Sequence, residues 1–185
     1  MIKEQTKIKG VIQTFRLNAD KNSKTSDGRG VLDVLREFIR TKNEGLISQL
    51  YTEGFLVGFY KQNNLVTTVG RAVLAERLAG GTTYTGEVNY GALGDDTTAA
   101  TNADVALGNE VGRFTVSSQA FDDNIAYIDF FIEAGTLTGT HEEFGNFIDG
   151  GAGVDSGQMW SHLITGGWTK GAAESLFISC QYTLS

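Results

Sequence analysis

The sequence contains no proline among its 185 residues, whereas 24 of them are glycine. Average composition would give roughly nine prolines. Proline ordinarily stops helices, stiffens loops and blunts the exposed edges of sheets. Turns must therefore depend on glycine, asparagine and aspartate, and the strand edges need another form of protection. Pairing of those edges with neighbouring subunits is one such form, and it favours a repeated building block over a free-standing enzyme.

Cysteine and histidine are also scarce, with one cysteine and two histidines in the chain. The single cysteine, Cys180, excludes an internal disulfide, and its place in an alternating apolar run predicts a buried thiol. One cysteine and two histidines cannot assemble a Cys/His metal site. We therefore assign no metal-binding and no cofactor-binding residues from the sequence.

Positive charge is in deficit, because 15 Lys and Arg residues face 22 Asp and Glu residues and the formal net charge is −7. Binding to a phosphate backbone needs clustered Lys and Arg, so no nucleic-acid partner is expected. The most basic stretch contains Lys3, Lys7, Lys9 and Arg16, and it predicts the exposed face of a strand. No apolar run is long enough for a membrane span, and the first ten residues lack the apolar centre of a signal peptide. We expect a soluble protein that is made in a cytoplasm and has no membrane partner.

Two segments have the periodicity of helices. Val31–Ile39 places its apolar residues at helical spacing, which predicts a short amphipathic helix. A second helix is predicted over about 64–79, with Asn64 as its N-cap and Gly80-Gly81 as its stop signal. Between them, residues 46–60 are ambiguous, because their first part permits a helical turn and the run FLVGFY favours a strand.

After Gly81 the hydrophobic pattern changes to period two, which is typical of strands. Strands are predicted at residues 1–20, 87–93, 113–121, 125–133, 143–148, 158–164 and 175–184. Antiparallel strands joined by Gly-rich loops predict a mainly β fold, an antiparallel β-sandwich with one flanking helix at about 64–79. Residues 1–63 are expected to form a mixed N-terminal extension or arm, and residues 64–185 the sandwich domain.

Candidate catalytic and metal-binding residues do not form a recognisable set. The loop GDDTTAATNAD offers oxygen ligands at Asp95, Asp96, Asn102 and Asp104, but their spacing fits no calcium loop and indicates a solvated loop. His141 and His162 have no nucleophile or positioned carboxylate at a recognisable spacing, even though Glu142 and Glu143 follow His141 directly. His162 is expected to be a packed or cross-strand residue. We therefore predict no catalytic residues and a protein that is not an enzyme.

Aromatic residues raise one alternative. Aromatic side chains stack on sugar rings, and several lie in the predicted strands and loops: Tyr84, Tyr90, Tyr127, Trp160 and Trp168. They favour either a hydrophobic core with its rims, or a platform for a host-surface glycan. The core is the preferred interpretation, and a glycan- or receptor-binding adhesin is kept as the alternative function.

A series of motifs in residues 64–185 resembles a module of tailed-bacteriophage virions, of the type described as tail-fibre, tail-associated or minor structural proteins. The motifs, in order, are NLVTTVGRAVLAERLAGG at 64–81, Leu93-Gly94, Leu107 with Glu110 and Arg113, Glu142 or Glu143 with Gly145 and Phe147, and Lys170-Gly171. The order of the motifs, rather than any single one, carries the resemblance.

The resemblance implies a structural protein of the virion, repeated on the capsid surface, neck or tail. Its partners would be other copies of itself and neighbouring virion proteins, and its location the virion. Within such a module Glu110 and Arg113, three residues apart, are expected to pair and to fix a loop against a strand.

Overall fold

The computed structural model describes residues 8–185, so the first seven residues of the predicted N-terminal strand, with Lys3 and Lys7, lie outside the described part. The fold is mainly β. Residues 8–185 contain eight strands: β1 (Ile8–Leu17), β2 (Leu56–Val66), β3 (Val88–Gly94), β4 (Glu110–Asp122), β5 (Ile125–Ile132), β6 (Gly139–Ile148), β7 (Gln158–Lys170) and β8 (Ser175–Leu184). The same described residues contain three helices: α1 (Val31–Thr41), α2 (Glu44–Thr52) and α3 (Thr68–Leu78).

The strands close into an antiparallel barrel in the order β1-β2-β7-β6-β3-β4-β5-β8. The expected β-sandwich is therefore wrong, although the mainly β class is confirmed. The difference lies in β4, a 13-residue strand that pairs with β3 through residues 110–115 and with β5 through residues 116–122. A strand that joins both halves of the structure turns two facing sheets into one closed sheet.

The second junction, between β2 and β7, is short. Only Leu65 and Val66 pair there, with His162 and Ser161. Farther along, the side chain of Gln62 bridges the gap: its Nε2 donates to the carbonyl oxygen of Thr165 at 3.0 Å, and its Oε1 accepts from Trp168 at 2.8 Å. The barrel is thus closed partly by backbone pairing and partly by one glutamine.

The barrel interior and two outer layers form separate hydrophobic clusters. Alternate residues of β8, such as Ile178, Cys180 and Tyr182, point inward with Phe130 and Trp168. Phe15 and Phe177 point outward under α1 and α2. The third cluster lies outside the barrel on β3, β6 and β7, under the loop of residues 95–109. Period-two burial of the strands is what their alternating sequences predict.

The helix predictions hold in part. The helix at Val31–Ile39 is confirmed and runs to Thr41. The ambiguous region contains both alternatives, since α2 ends at Thr52 and β2 begins at Leu56. The helix at 64–79 was placed too early, because β2 continues to Val66 and Thr67 caps α3 by accepting a hydrogen bond from the Gly70 N–H.

The start of α3 is fixed to β7. The Thr67 hydroxyl also donates to the carbonyl of Met159, and the Thr67 N–H donates to the carbonyl of Trp160. Asn64, the expected cap, instead pairs with Gly10 in the sheet. Its side chain lies over that glycine, where a Cβ would fall 1.6 Å from Asn64 Oδ1. The tertiary contacts of Asn64 and Thr67 therefore override the local N-cap signal at Asn64, and these contacts cannot be seen in the sequence.

The segment expected as an N-terminal extension or arm contributes to the barrel in its described part. β1 pairs with β8 over residues 8–17, and β2 pairs with β1 over residues 56–64. Lys9 is exposed as expected, whereas Arg16 is half-buried and pairs with Glu174 at 2.8 Å. The two helices that follow β1 cover the outer face of β1 and β8.

Candidate functional site

The loop of residues 95–109 covers the outer face of β3, β6 and β7. Leu107 anchors it by packing into the third hydrophobic cluster with Phe147 and Met159. Gly145 lies beneath Leu107, and a Cβ there would meet Leu107 Cδ2 at 3.0 Å. Glycine at this position therefore leaves room for the leucine that holds the loop down.

Glu143 is the polar anchor of the same loop. Its side chain is 1% exposed. One carboxylate oxygen accepts from the backbone N–H of Asn109 at 2.8 Å, and the other accepts from the N–H of Gly108 at 2.9 Å. A buried carboxylate that accepts backbone N–H groups satisfies donors that the loop would otherwise leave unpaired.

His162 joins Glu143 to the loop a second time. Its Nε2 lies 3.0 Å from Glu143 Oε2, and its Nδ1 lies 2.7 Å from Asp104 Oδ2. Burial would raise the pKa of Asp104, but hydrogen bonds from the hydroxyl and N–H of Thr101, together with His162, outweigh it and lower that pKa. Both ring nitrogens of His162 thus lie within hydrogen-bond distance of a carboxylate oxygen.

Glu110 and Arg113 form the predicted ion pair. The Arg113 Nε lies 2.6 Å from Glu110 Oε1, and the two side chains are 4% and 0% exposed. Glu110 Oε2 also accepts from the N–H of Asp155 at 3.2 Å. The pair therefore reaches from the start of β4 to the loop of residues 149–157.

Arg113 binds that second loop directly. Its Nη1 donates to the carbonyl of Gly151 at 3.0 Å and to the carbonyl of Ser156 at 2.8 Å. The guanidinium carbon lies 4.3 Å from the centre of the Phe147 ring. One side chain thus combines an ion pair, two loop carbonyls and a cation–π contact.

Lys170 and Gly171, the last motif of the series, also hold turns in place by hydrogen bonds inside the chain. Lys170 is 1% exposed, and its Nζ donates to the carbonyl of Thr136 at 2.8 Å. Burial lowers the pKa of this lysine. The Gly171 N–H donates to Glu174, which also holds Arg16. These residues fix the turns that precede β6 and β8.

Of the other sequence candidates, Asp96 also reaches the contacts around Glu143, because its N–H donates to Glu143 Oε1 at 3.4 Å. His141 is buried and its Nε2 lies 2.8 Å from the carbonyl of Leu137, away from Glu143. Asp95 accepts from the Asn109 side chain, and Asp96 accepts from the N–H of Thr98. Within residues 8–185, no group of three or more His, Cys, Asp or Glu residues is arranged to hold a metal ion.

The tryptophans do not form a surface platform. Trp168 is fully buried and Trp160 is 8% exposed. Tyr127 is 9% exposed and packs under the outer helices, and Tyr84 and Tyr90 are half-buried. The core interpretation of the tryptophans is confirmed by this burial.

A polar cluster inside the barrel escaped the sequence reasoning. The Tyr182 hydroxyl accepts from the side-chain amides of Asn64 and Asn146 and lies 2.7 Å from Ser161 Oγ. Burial raises the pKa of Tyr182 well above its ordinary value. One sign of this cluster was present in the sequence, namely polar residues at positions of β2, β6 and β7 that point into the barrel. The pairing register of the strands brings these residues together.

Comparisons with known proteins add no relative. Neither a scan against protein-family models nor searches of curated proteins and of solved structures found a match for the chain. In the described residues, none of the helices is both long enough and apolar enough to span a membrane.

Proposed function

We propose that the chain is a non-enzymatic structural protein of a tailed-phage virion, assembled as a repeated subunit of the capsid surface, neck or tail. One observation carries the proposal: the residues of the motif series act as anchors that hold loops on the barrel. Glu143 and Leu107 hold residues 95–109, and Glu110 with Arg113 holds residues 149–157.

Such anchors suit a static role. The buried charges of the motif series make contacts inside the chain. Glu143 accepts from backbone N–H groups, and Arg113 donates from Nε to Glu110 and from Nη1 to loop carbonyls, while its buried Nη2 has no partner within residues 8–185. Residues that fix loops in this way fit a protein whose surface must keep one shape.

The anchored loops also present apolar side chains to solvent. Val105 in the first loop is 63% exposed, Val154 in the second is 64% exposed, and Val111 beside the ion pair is 43% exposed. A preordered loop loses little conformational entropy when it meets a partner. Fixed loops with exposed valines therefore fit a contact surface for a neighbouring virion subunit.

The closed barrel changes one argument for assembly. Absent proline suggested edges covered by neighbours, but within residues 8–185 each strand has a partner on both sides in the same chain. The structure therefore gives no support to assembly through the pairing of strand edges between subunits. We propose instead that subunits meet through the anchored loops. The alternative of a glycan-binding adhesin loses its main argument, because the two tryptophans that motivated it are buried.

The test is antibody labelling of particles released by cells that carry the gene, viewed by negative-stain electron microscopy. We expect label at one repeated position on intact particles. Val154→Asp should lower incorporation without unfolding the protein, whereas Leu78→Asp, at an 82% exposed position on α3, serves as the matched control. Particles that never carry label, although the cells produce folded protein, contradict the proposal.

A further inference from the structure

Charge is divided unevenly between two parts of the chain. Residues 8–66 carry nine Lys and Arg against six Asp and Glu, whereas residues 67–185 carry four Lys and Arg against 15 Asp and Glu. The first part supplies the helical layer on β1 and β8, and the second supplies the anchored loops on β3, β6 and β7. A division of this kind creates potentials of opposite sign on different parts of a protein surface.

A basic patch, formed by Arg40, Lys42 and Lys61, lies where α1 ends. The guanidinium carbon of Arg40 lies 5.4 Å from the centre of the Tyr127 ring. Lys42 and Lys61 are close enough for their charges to interact, because burial and, after it, the charge of Lys61 lower the pKa of Lys42. All three residues are exposed, and none makes an ion pair within residues 8–185. In α1 and α2, Glu44 is the one acidic residue without an ion pair in the described chain, so the patch keeps a net positive charge.

The loop face, formed by residues 95–109 and 149–157, has the opposite sign. Its two loops contain five aspartates and neither lysine nor arginine. Both loops are held at one ring, because Leu107 packs with Phe147 and the guanidinium carbon of Arg113 lies 4.3 Å from the centre of the same ring. The face exposes carboxylates together with apolar side chains: Asp95, Val105, Val154 and Asp155.

The basic patch and the loop face lie on opposite sides of the barrel. The helices cover β1 and β8, whereas the loops cover β3, β6 and β7. Lys61 belongs to the helical side, because it lies two residues from Phe59, which packs under the helices. In the closed strand order β8 is four strands from β6 in either direction. A contact between two opposite surfaces of neighbouring copies is heterologous, and it continues into a chain or closes into a ring.

We propose that the basic patch of one copy of the chain binds the loop face of the next copy, in a head-to-tail contact. The proposal rests on the proposed function for a repeated subunit, and it names the partner of the anchored loops. Contacts between two loop faces would bring aspartates together, and contacts between two basic patches would bring cations together. Like charges oppose both arrangements, so electrostatics select the head-to-tail contact over a two-fold one. The methylene stems of the Arg and Lys side chains supply apolar surface for the exposed valines.

The experiment is sedimentation velocity of the full chain at about 0.1 M NaCl, where charges interact over about 10 Å. We expect an average mass that rises with protein concentration beyond that of a dimer. Arg40→Glu with Lys61→Glu, and separately Asp95→Lys with Asp155→Lys, should each weaken self-association at least about tenfold, because like charges then meet. All four changes together exchange the signs of the two surfaces and keep the net charge at −7, so self-association should return.

Lys24→Glu with Arg77→Glu is the matched control, because it makes the same change in net charge at exposed cations outside the basic patch. Lys24 pairs with Gly30 before the start of α1, and Arg77 lies on α3. Self-association of this control should stay within about twofold of the unchanged chain. If Asp155→Lys does not fold, Asp155→Asn with Asp95→Asn takes its place, since asparagine tolerates the left-handed backbone at Asp155, where φ is 59°. This neutral pair should weaken self-association at least about threefold.

Three results overturn the proposal. They are a folded chain that stays monomeric, self-association that neither pair of charge reversals weakens, and a folded fourfold variant that does not associate again. A partner of another kind, such as an acidic protein, would give the first of these results. Antibody label on particles would then uphold the virion role while the contact fails, whereas self-association of a chain that is absent from particles would uphold the contact without that role.

Discussion

Replacement of Arg113 by methionine should destabilise the protein by about 3–5 kcal/mol. Methionine keeps much of the buried volume but leaves the Glu110 carboxylate, whose side chain is 0% exposed, without its cation. Breaking a buried ion pair from one side costs about this amount because a charge remains without compensation. A typical domain has only about 5–15 kcal/mol of stability, so the loss is large. Urea denaturation at pH 7 with linear extrapolation measures it.

The double variant isolates the pair. Glu110→Gln alone should cost about 1–3 kcal/mol, and Glu110→Gln with Arg113→Met should cost at least about 2 kcal/mol less than the sum of the two single changes, because neither charge is then left alone. Additive single effects, or an Arg113→Met cost below about 1 kcal/mol, would refute the reasoning.

Hydrogen exchange distinguishes loop anchoring from general destabilisation. Residues 149–157 should exchange faster in Arg113→Met under native conditions, because the carbonyls of Gly151 and Ser156 lose their donor. Arg36→Met is the matched control, since Arg36 pairs with Asp129 at 2.9 Å on the helical side of the barrel. Equal acceleration of the loop in both variants would show that Arg113 has no local role there.

Three further changes test the packing and the buried charges. Gly70→Ala should cost about 1–3 kcal/mol by chemical denaturation, because the new Cβ would lie 2.8 Å from the Trp160 backbone, and an unchanged midpoint would contradict the close approach of α3 to β7. Burial raises the pKa of Cys180 to about 12, so at pH 8 the thiol should stay inert to Ellman's reagent until urea unfolds the chain, and rapid labelling of folded protein would show that the barrel opens. The Arg16 hydrogen bond lowers the pKa of Glu174 below its ordinary 4.5, so this carboxylate stabilises the fold above that pH and loses the effect as the pH falls through the lowered value. Glu174→Gln should therefore cost about 1–3 kcal/mol at pH 7 and progressively less as the pH falls below 4.5, and a cost that does not depend on pH would exclude the ion pair as its source.

Local patterns in the sequence predicted most elements because those elements depend on local physics. The alternation in β8 follows from one face packing inside the barrel, and its predicted bounds, 175–184, match the structure. The turn between the predicted strands 113–121 and 125–133 has Asp123 in the left-handed region at φ 51°. Aspartate tolerates this backbone conformation better than most residues.

The local patterns of the sequence could not predict that the sheet closes into a barrel. Whether two sheets face each other or join depends on the register of β4 and on the short pairing of β2 with β7. Neither the bulge near Val116 nor the bridge through Gln62 has a signal in hydrophobic periodicity. The same long-range contacts displaced the start of α3 from Asn64 to Thr68.

The site was predictable only where it was local. The pairing of Glu110 with Arg113 was expected from the resemblance, because residues three apart on a regular strand point to opposite faces. A register shift between Leu93 and Gly94 on the neighbouring strand lies opposite this segment. The hydrogen-bonded series Glu143–His162–Asp104 joins residues from three separate parts of the sequence. The sequence analysis predicted no contact among these three residues. Loop anchors of this kind appear only when the loop is folded onto the sheet.

The most direct test of the proposed virion role is quantitative mass spectrometry of particles purified by density-gradient centrifugation. We predict that this chain copurifies at a constant ratio to the major capsid protein, at several copies per particle, in every fraction that holds intact particles. Absence of the chain from those fractions, with abundant folded protein left in the lysate, would contradict the account.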